Sequence, residues 1–271
     1  MCPGAPFLIE GTAEQMAVRL TAVVEACSVA VSGLFDSDAV LLVTPGAPGS
    51  TDDRPAWREL PPGTVISTTP VRRSDLPERP TLSLASGGEG AGPLAAPTVA
   101  TVSVPNLSVA TLSVGTMVGA ALLAAQVAGA PIRGNSPVRR PPPTTAFEIT
   151  GRPAEVAGML ADRVHSAERI ALLVIADGSA CHGDDAPGRR DDRARTFDGA
   201  LAEALAAGDP DALRVAAADH DLARALLAQV DPLTVLALLA AGRPPATAEL
   251  LYSDAPLGVG YLVASWRWAH G

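Results

Sequence analysis

Four histidines, three cysteines and not one lysine bound the side-chain chemistry open to this chain of 271 residues. Without lysine there is no Schiff-base nucleophile, and no ammonium to serve a phosphate loop or a kinase site. Cys2, Cys27 and Cys181 are too few and too scattered for a disulfide framework or a four-thiolate zinc site, so reduced thiols are expected. The richest stretch runs Ile175-Ala-Asp-Gly-Ser-Ala-Cys-His-Gly-Asp-Asp-Ala-Pro-Gly188, with Asp177, Ser179, Cys181, His182, Asp184 and Asp185 in one loop. His182 among carboxylates reads as a general acid/base or as part of a His/Asp metal site. The plainer alternative is a solvated loop whose carboxylates cap the next helix. A Cys181–His182 thiolate pair is disfavoured, because adjacent residues on an extended chain point apart.

The remaining candidates carry less. His165 falls near a helix C-terminus, His220 sits between Asp219 and Asp221 at a helix start, and His270 is penultimate. Trp266 and Trp268 flank Arg267 and share one strand face, which suits packing or a subunit contact such as a homodimer. Arg72-Arg73, Arg139-Arg140 and Arg189-Arg190 read as solvated pairs, the last standing close enough to the loop to hold an anion.

The elements that must position these residues follow from periodicity. Apolar runs of strand length alternate with Ala/Leu-rich stretches of helical period, which predicts a layered α/β fold. Strands are predicted at Phe7 to Ile9, Asp38 to Thr44, Thr64 to Ser67, Val99 to Val104, Ala110 to Val114, Phe147 to Thr150 and Arg169 to Ala176. Thr12 with Gln15 forms a capping-box signature for a helix to about Ser32. Further helices are predicted at Thr116 to Ala128 and Ala154 to Ala167, the latter behind Pro153. Another carries Phe197, Leu201 and Leu205 on one face, and short ones cover Asp211 to Ala218, Asp221 to Val230 and Leu233 to Ala241. Two strands, Ala248 to Tyr252 and Val259 to Trp266, close the pattern through Asp254-Ala-Pro-Leu-Gly258. Residues 46–97 form an irregular Pro/Gly-rich excursion and 131–143 a Pro-rich connection, within one domain spanning 1–271.

Composition narrows the functional classes. Twenty basic against 29 acidic side chains leave a net charge of −9, which speaks against nucleic acid as a partner. At 48% hydrophobic and 18% charged the chain can bury a core. The uncharged stretch from Gly90 to Ile132 is interrupted by proline, glycine, serine and threonine, so no membrane span is expected. Met-Cys-Pro-Gly-Ala-Pro has no basic region ahead of a hydrophobic stretch, which predicts a cytoplasmic protein without a secretory signal.

A polar, Gly-rich loop at the carboxyl end of a buried strand lies where open α/β sheets put their ligands. In detail it resembles the class III extradiol ring-cleavage dioxygenases of the protocatechuate dioxygenase beta-subunit (LigB-like) type. In that family a strand enters a Gly-Asp-Leu-Ser-His loop, followed by Ala-Pro and a Phe-Asp helix ending in Gly-Asp, as Asp177 to Gly188, Phe197-Asp198 and Gly208-Asp209 do here. Pro3-Gly-Ala-Pro-Phe-Leu8 is similar to the family's opening Pro-His-Pro-Pro-Leu-Leu. Tyr252-Ser-Asp-Ala-Pro-Leu-Gly-Val-Gly-Tyr261 is similar to its closing Tyr-Glu and Gly-Val-Gly-Tyr segment. The resemblance implies a three-layer α/β/α domain with a mostly parallel or mixed central sheet, and a pocket lined by Gly4, Pro45, Gly46, Asp177, Ser179, His182 and Asp254.

It also implies an Fe(II) site of two His and one carboxylate, which this chain lacks the residues to build. Gly4 stands at the first ligand position, Gly46 of Thr44-Pro-Gly-Ala-Pro48 at the second, Ala180 in place of the loop His, and Ser253 in place of the closing Glu. Glycine has no lone pair to give a metal, so no metal and no cofactor are expected. The leading expectation is a scaffold without iron or ring cleavage whose cleft takes a small molecule or a protein segment. The alternative is a divergent oxidoreductase with relocated iron ligands, His182 and Asp177 being its catalytic candidates. A hydrolase acting through Ser179 or Cys181 is the third.

Overall fold

The computed structural model describes residues 2–3, 13–46, 57–59, 65–69, 99–103, 113, 115–116, 118–120, 122–123, 142–165 and 169–269. Within them the chain runs β1 (Cys2–Pro3), α1 (Ala13–Ser32), β2 (Ala39–Pro45), β3 (Trp57–Glu59), β4 (Val65–Thr69), β5 (Val99–Ser103), β6 (Thr144–Ile149), α2 (Pro153–Val164), β7 (Ile170–Ala176), α3 (Arg193–Ala207), α4 (Pro210–Ala216), α5 (His220–Ala225), α6 (Asp231–Ala240), β8 (Thr247–Asp254) and β9 (Tyr261–Arg267). The described residues among 115–123 are helical as well.

The central sheet has the order β1-β7-β2-β6-β3. Its first four strands are parallel and β3 joins antiparallel at the edge. Strand β2 occupies the middle because Val40 to Val43 are apolar without interruption, as a strand covered on both faces must be. Val40 and Leu42 pack with Val23, Cys27, Val31 and Leu123 on one side. Leu41 and Val43 pack with Phe147, Val156, Leu160, Val235 and Leu239 on the other. These alternating faces make three layers: α1 and the 115–123 helix, the sheet, then α2 and α6. Burying each side chain such as Phe147 or Leu160 contributes roughly 1.5–3 kcal/mol.

The β8–β9 hairpin lies between two helical groups. Tyr261 and Val263 face the α1 cluster, while Leu262 and Ala264 face the cluster around α3, α4 and α5. Helix α3 forms because Ala194, Phe197, Leu201 and Leu205 fall on one buried stripe, and it stops at Gly208 in the left-handed region, φ 64°. Asp209 then caps α4 by accepting from the Asp211 and Ala212 amides at 2.9 and 3.0 Å.

The predicted α/β layering holds, with shifted ends. Strand β6 starts at Thr144 rather than Phe147, since β-branched Thr144 and Thr145 pair with Val40 and Leu41. Helix α5 ends at Ala225 rather than Val230, because Leu227 takes a left-handed φ of 57° and turns the chain. Strand β3 has no counterpart among the predictions. Phe7 to Ile9, most of the 46–97 excursion and most of 131–143 lie outside the described residues, as does Ala110 to Val114 apart from Ser113, which is in no strand. Among the described residues no helix is long and apolar enough to cross a membrane.

Candidate functional site: a cleft and two polar clusters

Three polar features gather at the carboxyl edge of the sheet. The first is a cleft of about 600 Å³, within the size range of small-molecule sites. Pro45 and Gly46 at the end of β2, and Ile149 and Thr150 at the end of β6, form one wall. Residues of α5, the 227–230 segment and the start of α6 form the other, including His220, Arg224, Gln229 and Asp231. His220 Nδ1 lies 3.4 Å from Asp231 Oδ1.

Gly46 is held tightly. Its N–H donates to the Ile149 carbonyl at 2.6 Å. A Cβ here would stand 2.5 Å from the Thr150 methyl and 2.9 Å from the Ile149 oxygen. An imidazole therefore cannot occupy position 46 unless the end of β6 moves.

The second feature is built on His182. Its Nε2 and Asp198 Oδ2 are 2.6 Å apart, and both side chains are nearly buried. Asp198 projects from the first turns of α3, and its oxygens also accept the Ser179 amide at 3.0 and 3.2 Å. Burial pushes the Asp198 carboxyl above its ordinary range, with the Ser179 N–H and His182 pulling back. The β8–β9 turn closes the cluster: Gly260 N–H donates to Ser179 O at 2.7 Å and His182 N–H to Gly258 O at 3.0 Å. Gly258 needs its φ of 75°, and a Cβ on Gly260 would overlap the Asp198 carboxylate. The Gly-Val-Gly-Tyr pattern thus has a local physical reason.

Here the partner of His182 differs from the carboxylates the loop suggested. Asp184 and Asp185 are exposed, and the buried partner is Asp198, sixteen residues on. Ser179 is fully buried; its hydroxyl donates to Leu226 O at 3.4 Å and accepts from Cys181 N at 3.1 Å. Cys181 is 2% exposed, and burial pushes its thiol up, Ser179 opposing and Asp191 adding to the rise. A thiol so enclosed is a poor nucleophile.

The third feature is a buried carboxylate that periodicity alone did not mark. Glu148 Oε1 accepts from Ser113 N at 2.6 Å and from Thr116 Oγ1 at 2.8 Å. Thr44 and Ser113 hydroxyls approach Thr116 Oγ1 to 2.9 and 3.0 Å. Gly115 and Gly119 let this helix lie against β2, since a Cβ at 119 would meet Leu42 at 2.5 Å. Glu148 alternates with Phe147 and Ile149, so it reads in sequence as the solvent face of a half-exposed strand; Thr44, its register partner, is the one available signal.

Of the seven anticipated pocket residues, Pro45 and Gly46 line the cleft. Asp177 borders it, exchanging backbone hydrogen bonds with Gln229 at 3.3 and 3.0 Å. Ser179 and His182 belong to the Asp198 cluster. Asp254 is exposed, its Oδ1 accepting from the Ala255 amide at 2.7 Å. Gly4 lies outside the described residues, as do His270, Arg72-Arg73 and Arg139-Arg140. Arg190 pairs with Asp184 and Asp192 at 3.8 and 3.3 Å. Trp266 and Trp268 stack edge to face at 6.2 Å and donate to Leu205 O and Arg243 O, both at 2.7 Å.

The iron that the family resemblance implies does not fit this donor set. His182 and Asp198 are spent on each other and on Ser179, and Gly46 offers no ligand and no room for one. Among the described residues no group of three or more His, Cys, Asp or Glu side chains is placed to hold a metal ion. The Tyr261 hydroxyl, 1% exposed, has no hydrogen-bond partner among the described residues, and burial pushes it up, with Asp177 and Tyr252 adding to the rise. No protein-family model matches the chain, and a search of curated proteins returns no match.

Proposed function

We propose that this protein is a class III extradiol dioxygenase-like scaffold that binds a small molecule in the cleft between β2, β6 and α6, without iron and without ring cleavage. The observation that carries the reading is Gly46. It sits at the rim of a ligand-sized cleft at the carboxyl ends of parallel strands, where α/β sheets bind ligands, and its surroundings exclude the side chain a metal centre would need. Elemental analysis of the purified protein, oxygen uptake with catechol and a thermal-shift screen of metabolites test it together. Substoichiometric metal, no oxygen consumption and stabilisation by at least one metabolite are expected. Near-unit iron with catechol-dependent oxygen uptake overturns it.

One observation favours a second reading, that of a divergent enzyme. The 2.6 Å contact between His182 and a buried Asp198 is the arrangement by which a carboxylate orients a catalytic imidazole. In that case His182→Gln abolishes a turnover that the wild-type protein shows.

A further inference from the structure

A guanidinium and an imidazole line the cleft from successive turns of one helix. His220 and Arg224 are four residues apart on α5, on the same face, and both reach the cleft wall. Each has a carboxylate beside it. Asp231 stands 3.4 Å from His220 Nδ1, which leaves Nε2 as the ring nitrogen not committed to it. Asp221 accepts from Arg224 NH1 at 2.8 Å, but this pair is exposed at 77% and 92%, so it is easily exchanged, and Asp221 is not part of the cleft wall.

The same wall holds the first residues of α6, Asp231 and Pro232. Ile149, Leu227 and Val230 supply apolar surface beside these polar groups. Leu227 is the notable one. It occupies the left-handed position that ends α5, with its own N–H donating to Arg224 O at 3.1 Å and that of Ala228 to Ala223 O at 2.8 Å, a place normally given to glycine. A leucine there, 55% exposed, presents its side chain at the cleft despite the backbone strain.

We propose that the cleft is a site for a small organic oxyanion. Its anionic group lies on the Arg224 guanidinium beside the His220 ring, and the apolar body rests on Leu227 and Ile149. This rests on the reading of the cleft as the ligand site. Carboxylates and phosphate esters share the chemistry required.

The test uses the full chain with cyclohexanecarboxylate, its neutral carboxamide and inorganic phosphate, read by thermal shift and by the His220 ring protons in NMR. Cyclohexanecarboxylate or phosphate is expected to raise the melting temperature and move the His220 signals, while the carboxamide does neither. Which of the two anions binds tells carboxylate from phosphate. Arg224→Gln is expected to weaken binding about tenfold or more, and His220→Gln to weaken it less. Equal binding of the carboxamide, or unchanged affinity in both variants, overturns the oxyanion assignment and leaves the cleft as a neutral-ligand site. Silence from all three probes also overturns it. If, in addition, metabolites that stabilise the protein shift no cleft resonance, the cleft reading itself fails.

Discussion

The carboxylate of Asp198 ties α3 to the loop after β7: it stands 2.6 Å from His182 Nε2 and accepts the Ser179 amide at 3.0 Å. Removing it strands a buried N–H and a nearly buried imidazole together. Asp198→Ala is expected to cost about 3 kcal/mol or more in urea denaturation, the usual scale for breaking a buried pair. Asp198→Asn keeps an acceptor and should cost clearly less. Equal losses in the two variants would mean that acceptance of these hydrogen bonds is not what matters.

The same residue gives a pH signature of unusual sign. Burial raises the Asp198 carboxyl above its ordinary 3.8, so just above that value the folded protein holds a proton that the unfolded chain has released. Stability therefore falls as pH rises through that window. Asp191 behaves oppositely: hydrogen bonds from Arg193 lower it to about 2, so its contribution is present above 3.8 and is lost as pH falls toward 2. Denaturation midpoints across the acid range should show the fall above 3.8 in the wild type and lose it in Asp198→Asn.

Two glycines make a matched pair. A Cβ on Gly260 overlaps Asp198, whereas one on Gly199, inside α3, meets nothing within 4 Å. Gly260→Ala should destabilise by roughly 1–3 kcal/mol through overpacking. Gly199→Ala should stabilise by about 0.5–1 kcal/mol through helix propensity. Calorimetry of both variants checks the opposite signs.

Placing a histidine at position 46 should not create a metal site. Gly46→His must displace Thr150 and the end of β6, so a lower melting temperature is expected, at a cost of roughly 1–3 kcal/mol. Added Fe(II) or Zn(II) should not recover it. Metal-dependent stabilisation of this variant would show that the turn can reopen around an ion.

Leu227→Gly relieves a left-handed leucine and should stabilise the protein by roughly 1 kcal/mol, since the side chain is more than half exposed. The same change should weaken ligand binding in the cleft. Gains in both stability and affinity would show that the leucine serves neither.

What could be read from sequence follows from how local its cause is. Strands β2 and β7 are unbroken apolar runs, and α3 carries Phe197, Leu201 and Leu205 at four-residue steps, so their period alone places them. Asp198 lies on the same helix, yet its burial depends on a loop sixteen residues back and a turn sixty residues on; no local pattern marks it. Glu148 looks like the polar half of an alternating strand, yet it is buried, with hydrogen bonds from Ser113 and Thr116, more than thirty residues back. The cleft wall escaped for a related reason. His220 and Arg224 come together with Asp231 through the end of α5 at Leu227, where a left-handed leucine ends a helix that the periodicity carries on to Val230.

The backbone exchange between Asp177 and Gln229, with Ala180 N–H donating to Leu226 O at 2.9 Å, stitches the 226–229 segment to the loop after β7. One hydrogen-bonded stretch of backbone therefore borders the cleft at Gln229 and, through the Ser179 amide, holds Asp198, so the two features share a common wall.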